Sequence, residues 1–123
     1  MSYEIGEFAK KVNLTIDTLR YYEKEGLIKP QRAKNGHRQF LESDLKWVEF
    51  IKRLKLTGMP IKDIKKYAEL RRKGNSTIDE RMLLLGNQQK LLLGQQTEIQ
   101  SHLDFLAQKI KMYQNMKNDL NKS

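Results

Sequence analysis

The chain has 123 residues, no cysteine, 38% hydrophobic residues and a mean hydropathy of -0.75. These values exclude disulfides, thiolate metal sites and thiol redox sensing, and no stretch nears the roughly 20 apolar residues of a membrane span. Net charge is +9; residues 1–74 carry 18 Lys/Arg against 10 Asp/Glu and residues 75–123 carry 6 against 5, which has two readings: a basic polyanion reader joined to a near-neutral assembly segment, or a generic basic protein whose lysines keep it soluble.

The start, Met1-Ser2-Tyr3-Glu4, lacks the basic residues and apolar run of a signal peptide. A cytoplasmic protein with no membrane partner is expected. Ile5, Phe8, Ala9 and Val12 follow the i, i+3, i+4, i+7 spacing of an amphipathic helix. Lys10 and Lys11 suit its C-terminal dipole. Asn13-Leu14 breaks the pattern, and Thr15 fits the N-cap of a second helix. In that helix Ile16 and Leu19 are expected to face inward, leaving Arg20 and at least one of Tyr21 and Tyr22 outward. Arg beside two hydroxyl-tipped rings suits a surface that leans on phosphates. Gly26 fits the C′ position. Two short helices around a tight turn are the helix-turn-helix signal, although any αα-hairpin has the same outline.

Beyond Leu27-Ile28, Pro30 stops helix formation. Asn35-Gly36 is a strong hairpin turn, with His37 to Phe40 as the return strand. Lys29, Arg32, Lys34, His37 and Arg38 make this hairpin basic, with no acid between Gly26 and Leu41. A basic hairpin beside a helix-turn-helix reads as a wing that reaches the DNA backbone or minor groove.

Ser43 is the expected N-cap of the next helix, which turns Leu45, Val48, Ile51 and Leu54 inward and closes at Thr57-Gly58. Trp47 has two readings, core anchor or ligand-stacking ring. Met59-Pro60 opens a further helix with Ile61, Ile64, Tyr67, Ala68 and Leu70 on its apolar stripe, and Gly74 ends it. Thr77-Ile78-Asp79-Glu80 then matches a capping box, with Glu80 reaching back to the Thr77 N–H.

From there a 4-3 spacing runs unbroken through Ile78, Met82, Leu85, Gln89, Leu92, Gln96, Ile99, Leu103, Leu106, Ile110, Tyr113, Lys117 and Leu120. Ten of the thirteen are apolar or tyrosine, which is the seam of a coiled coil. Ile78, Met82, Leu85, Leu92, Ile99, Leu103, Leu106 and Ile110 are its expected dimerisation residues. A helix of roughly 60 Å cannot bury such a seam alone. The alternative is a chain folded back on itself at Gly86 or Gly94, since each glycine costs about 1 kcal/mol in a helix. Gln89 and Gln96 either fix the register of a dimer or weaken it.

Ile5-Gly6-Glu7, Leu19-Arg20-Tyr21-Tyr22-Glu23, Gly26-Leu27-Ile28, Gly36-His37-Arg38 and Leu54-Lys55-Leu56-Thr57-Gly58-Met59 together resemble the MerR family of bacterial transcription regulators. The likeness is close over residues 3–74 and extends to the tail by type. It implies a mainly α protein: a winged helix-turn-helix DNA-binding domain over residues 1–74, an antiparallel coiled-coil dimerisation helix over 75–120, and a flexible tail over 121–123. It implies a homodimer that binds double-stranded DNA at a promoter pseudopalindrome, bends and untwists the spacer, and meets RNA polymerase there. Arg20 matches the arginine that enters the major groove. Tyr21 and Tyr22 match phosphate-contacting tyrosines, Arg38 the wing arginine and Lys55 a backbone-contacting lysine. Thr15 and Thr18 are further candidates at the helix start, Thr15 with the competing role of cap. His37 stands where the family more often has tyrosine.

The size and the Phe50-Ile51-Lys52-Arg53-Leu54-Lys55 stretch resemble an aldehyde and electrophile-stress subfamily. Its members often carry cysteine where Arg53 stands, so thiol sensing cannot operate here. His37 and His102 lie in different elements and make no metal site; no metal or cofactor is expected. No acid pair, nucleophile-base set or phosphate loop points to an enzyme. The alternative to a regulator is an architectural, excisionase-like DNA binder without effector control.

Overall fold

The computed structural model describes residues 2–122. Its elements are β1 (Ser2–Tyr3), α1 (Ile5–Val12), α2 (Ile16–Lys24), β2 (Gln31–Arg32), β3 (Arg38–Leu41), α3 (Glu42–Leu56), α4 (Ile61–Lys73), a 3-10 turn (Asn75–Thr77) and α5 (Ile78–Lys122). Residues up to Gly86 form one compact unit and those from Asn87 a second. The packing boundary therefore falls inside α5 rather than at residue 74. Asn121 and Lys122 continue the helix, so no tail begins at residue 121; Ser123 lies outside the described residues.

In the first unit α1 and α3 pack on β3, and the apolar faces of α2 and α4 join them in one core. Phe8, Leu27, Val48, Ile51 and Ile64 are fully buried, and Phe8 stacks on Phe40 at 4.2 Å between centroids. Such a ring pair contributes about 0.5–1.5 kcal/mol beyond its burial. Trp47 is a core anchor. Its Nε1–H donates to the Leu27 carbonyl at 2.8 Å, and Arg71 lies 4.1 Å above its ring. Leu84 and Leu85, from the first turns of α5, pack against the same core. Leu85, expected on the dimer seam, is thus already engaged within its own domain.

The three strands form one antiparallel sheet in the order β1-β3-β2. β1 was not expected from the sequence. It pairs Ser2 with Leu41 and Tyr3 with Phe40, so the return strand of the wing is the central strand. The Tyr3 hydroxyl donates to Glu42, which holds the phenol pKa above its ordinary value, with burial adding to the rise.

Three local expectations are corrected. Ser43 is not the cap of α3: Leu41 holds that position, and its N–H donates to Asp44 Oδ2 at 2.8 Å. Ile16 does not face the core but is 36% exposed at the first turn of α2. The capping box at Thr77 does not form, because the Thr77 N–H donates to the Gly74 carbonyl in the 3-10 turn. Its hydroxyl turns inward instead, 2.6 Å from the Leu70 carbonyl. As for α5, the helix runs 45 residues without interruption through Gly86 and Gly94, so the alternative of a break at either glycine is not the one taken. Ile78, Met82, Leu92, Ile99, Leu103, Leu106, Ile110, Tyr113 and Leu120 all lie exposed along it. Among the described residues no helix is long and apolar enough to cross a membrane.

Candidate nucleic-acid interface

The site starts from a turn. Asn13 takes the left-handed conformation (φ 55°), and its N–H returns to the Ala9 and Lys10 carbonyls, ending α1. Asparagine tolerates that region better than other residues with a Cβ. Thr15 then caps α2: its Oγ1 accepts from the Thr18 N–H at 3.0 Å and lies 2.8 Å from the Thr18 hydroxyl. The two threonines thus serve each other at the helix start, with Thr15 exposed and Thr18 half-buried. Gly26, at φ 78°, lets the chain leave α2.

Cations from the following helices hold both helix ends. Lys52 of α3 donates to the Val12 carbonyl at 2.6 Å, and Arg72 of α4 donates to the Gly26 carbonyl at 2.8 Å. Positive charge at a helix C-terminus is favourable, typically by about 0.3–1 kcal/mol. The tilt of α2 is therefore set from its capped start and from its tethered exit.

On this frame α2 presents Arg20 and Tyr21. Arg20 is exposed, with Asp17 Oδ1 at 3.8 Å, a weak surface pairing. Tyr21 is 45% exposed. Tyr22 is not its companion on the surface: it is 2% exposed and among the largest fully buried side chains. Its hydroxyl lies 3.5 Å from Lys55 Nζ, which sits over the ring at 5.3 Å. Tyr22 therefore acts as the core post of α2 and holds Lys55 at the surface.

The wing closes on the same side. The Asn35 side chain accepts from the His37 N–H at 3.0 Å, and Gly36 takes φ 84°. The Gly36 N–H donates to Ala33 O and the Ala33 N–H to His37 O, both at 2.9 Å. Arg20, Arg32, Gly36, His37 and Arg38, with Glu4 and Ile5, line a cleft of about 280 Å³ between α2 and the wing. Three arginines and one carboxylate around a cleft this size make a seat for an anion. Of the residues that the sequence put forward as DNA contacts, Arg20, His37 and Arg38 line this cleft together.

The sequence named Arg32 only as one of the cations of the basic hairpin, and it passed over Glu23. Glu23 Oε2 pairs with Arg32 Nη2 at 3.0 Å and Oε1 with Arg38 Nε at 2.5 Å. These residues are far apart in sequence, and only the acid-free run around the wing hinted that its arginines needed a carboxylate from elsewhere. Lys55 is exposed on α3, outside the lining of the cleft. Among the described residues no three His, Cys, Asp or Glu side chains converge to hold a metal ion.

Residues 3–70 match the family described as MerR HTH family regulatory protein. An HTH-type transcriptional regulator of Haemophilus influenzae is 41% identical over 118 residues, covering 95% of this chain and 87% of that protein. AdhR of Bacillus subtilis, also an HTH-type transcriptional regulator, is 39% identical over 90 residues, 72% of this chain and 64% of AdhR. In structure, HiNmlR, a MerR family regulator lacking the sensor domain and bound to promoter DNA, matches with a TM-score of 0.75 at 41% identity, covering 95% of this chain and 94% of that one. A MerR family regulator from Bacillus thuringiensis matches with a TM-score of 0.70 at 41% identity over 89% of this chain and 97% of its own. With a winged helix-turn-helix built as described and similarity running through α5, the chain belongs to the MerR family of helix-turn-helix transcriptional regulators.

Proposed function

We propose that the protein binds promoter DNA as a homodimer and regulates transcription by deforming the spacer on which RNA polymerase must engage. The observation that carries this reading is the cationic cleft shared by α2 and the wing, on a chain similar throughout to a regulator bound to promoter DNA. Arg20 enters the major groove and reads base edges, where a bidentate arginine contributes about 1–3 kcal/mol of discrimination. Tyr21, Arg38, His37, Lys55 and the Thr15–Thr18 turn contact the backbone and fix register. Tyr22 serves through its hydroxyl and Lys55 rather than as an exposed clamp. The exposed seam of α5, with Met82, Leu92, Ile99, Leu103, Leu106 and Ile110, pairs with a second copy. That pairing supplies the two-fold symmetry that two recognition helices need. Deformation of the spacer adds specificity at bases the protein never touches.

The test is an anisotropy titration of the DNA upstream of the protein's own gene against a scrambled duplex, over a salt series, with sedimentation on the same samples. A dimer with preference for the promoter duplex and a steep salt slope is expected. A stable monomer, or equal affinity for both duplexes, overturns the reading; the latter result favours an architectural DNA binder.

A further inference from the structure

We infer that Glu23 is a positioning residue for DNA recognition: a single carboxylate that ties both arms of the wing to the end of the recognition helix. The inference rests on the DNA-binding reading above. Arg32 and Arg38 are direct Cα partners across β2 and β3. Like charges opposite one another on a strand ladder repel, and this ladder is only two residue pairs long. Left alone, the two guanidiniums would splay. Glu23 prevents this by giving one oxygen to each arginine. Arg32 carries the restraint further, since its Nη1 donates to the Gly36 carbonyl at the wing tip at 3.2 Å. A continuous chain of polar contacts therefore runs from α2 through Glu23 and Arg32 to the turn.

The placement on α2 is the second part of the argument. Glu23 lies three residues beyond Arg20, one turn along the same helix. Arg20, Arg32 and Arg38 line one cleft. Fixing the wing to this turn fixes the distance between the arginine that reads bases and those that meet the backbone. The Glu23 and Arg38 side chains are 24% and 25% exposed, so their pairing is less screened than a surface contact. Arg38 is held through Nε, and no described bond engages its two Nη groups. They remain for an external acceptor, and the rotamer freedom of the side chain has been lost before DNA arrives.

A carboxylate beside a phosphate-binding cleft is unfavourable for DNA as a charge. That sets the sign of the test, because charge and geometry predict opposite results. Removing the charge with E23Q should tighten binding to a scrambled duplex and raise its salt slope. If Glu23 positions the wing, E23Q should at the same time weaken binding to the promoter duplex by about tenfold. E23D, which keeps the charge and shortens the reach, should also lose promoter affinity but without the gain on scrambled DNA. On an R32A/R38A background the promoter loss from E23Q should largely vanish, since Glu23 acts through its contacts with those two arginines. Thermal melts should show all variants folded. Equal tightening of both duplexes by E23Q, or equal losses in the R32A/R38A and wild-type backgrounds, overturns the positioning role while leaving the DNA reading intact. A wild-type protein without preference for the promoter duplex overturns both.

Discussion

Gly94→Ala tests whether α5 is an unbroken helix at this glycine. Gly94 lies deep inside the helix, is not among the glycines with positive φ, and a Cβ built there meets nothing within 4 Å. It is two residues beyond Leu92, which turns it about 200° away from that seam residue. Alanine removes the entropic cost of glycine in a helix, about 0.8–1.0 kcal/mol on intrinsic scales and about 0.4–1 kcal/mol when measured in folded proteins. The proposed homodimer would carry the change twice, so on that reading a gain of about 1–2 kcal/mol per dimer is expected. Urea or thermal unfolding at fixed protein concentration reads it, and the concentration must be held because dimer stability depends on it. Gly86→Ala is the companion measurement. It also meets nothing within 4 Å in the single chain, but it lies next to Leu85 on the edge of the seam. A gain at Gly94 with a loss at Gly86 would locate a close helix crossing at Gly86. A loss at Gly94 would refute the continuous rod and point to a bend there.

Arg20→Ala should cost about 1–3 kcal/mol on the promoter duplex, whereas Lys90→Ala, an exposed change on α5, should leave it unchanged; anisotropy titrations distinguish them, and equal effects would remove Arg20 as a base reader. Trp47→Phe strips the donor from the buried Leu27 carbonyl and should destabilise the domain by about 1–3 kcal/mol in urea unfolding; a change under about 0.5 kcal/mol would mean that the bond contributes little. Tyr3→Phe should flatten the alkaline limb of the stability profile. The folded-state pKa of Tyr3 is raised, so its contribution is present below the ordinary phenol range and lost as pH climbs through the folded value. Melting curves from about pH 8 to about pH 11 should therefore converge for the two proteins at the alkaline end, and parallel curves would exclude Tyr3 as the source.

Helices α1 to α4 were legible because periodicity and punctuation agree: Phe8 with Val12, the Thr15 cap, Gly26, Gly58 and Gly74 all stand where the chemistry requires. What escaped the sequence has a physical reason in each case. β1 is two residues long, too short for any alternation, and exists only because β3 offers an edge. Tyr22 carries a ring and a hydroxyl, and composition cannot say which the fold will use; here the ring fills the core and the hydroxyl meets Lys55. Thr77 and Glu80 have the spacing of a capping box, yet a 3-10 turn takes the Thr77 N–H first. At the site, Arg20 and Arg38 were visible by type. The carboxylate between the wing arginines was not, because Glu23 meets Arg38 over a separation of 15 residues and no local pattern encodes that meeting. The family resemblance supplied the roles of the site residues, and periodicity supplied the seam of α5.

The strand order β1-β3-β2 has a practical consequence. The first residues of the chain are a structural brace: Ser2 and Tyr3 occupy the outer edge of the strand whose other edge carries the wing. Lys11 lies over the Tyr3 ring at 4.9 Å, so the brace is also pinned from the first helix. An affinity tag fused immediately upstream of Ser2 would crowd this edge, and trimming the first three residues would expose it, with the disturbance passed one strand over to the wing hairpin.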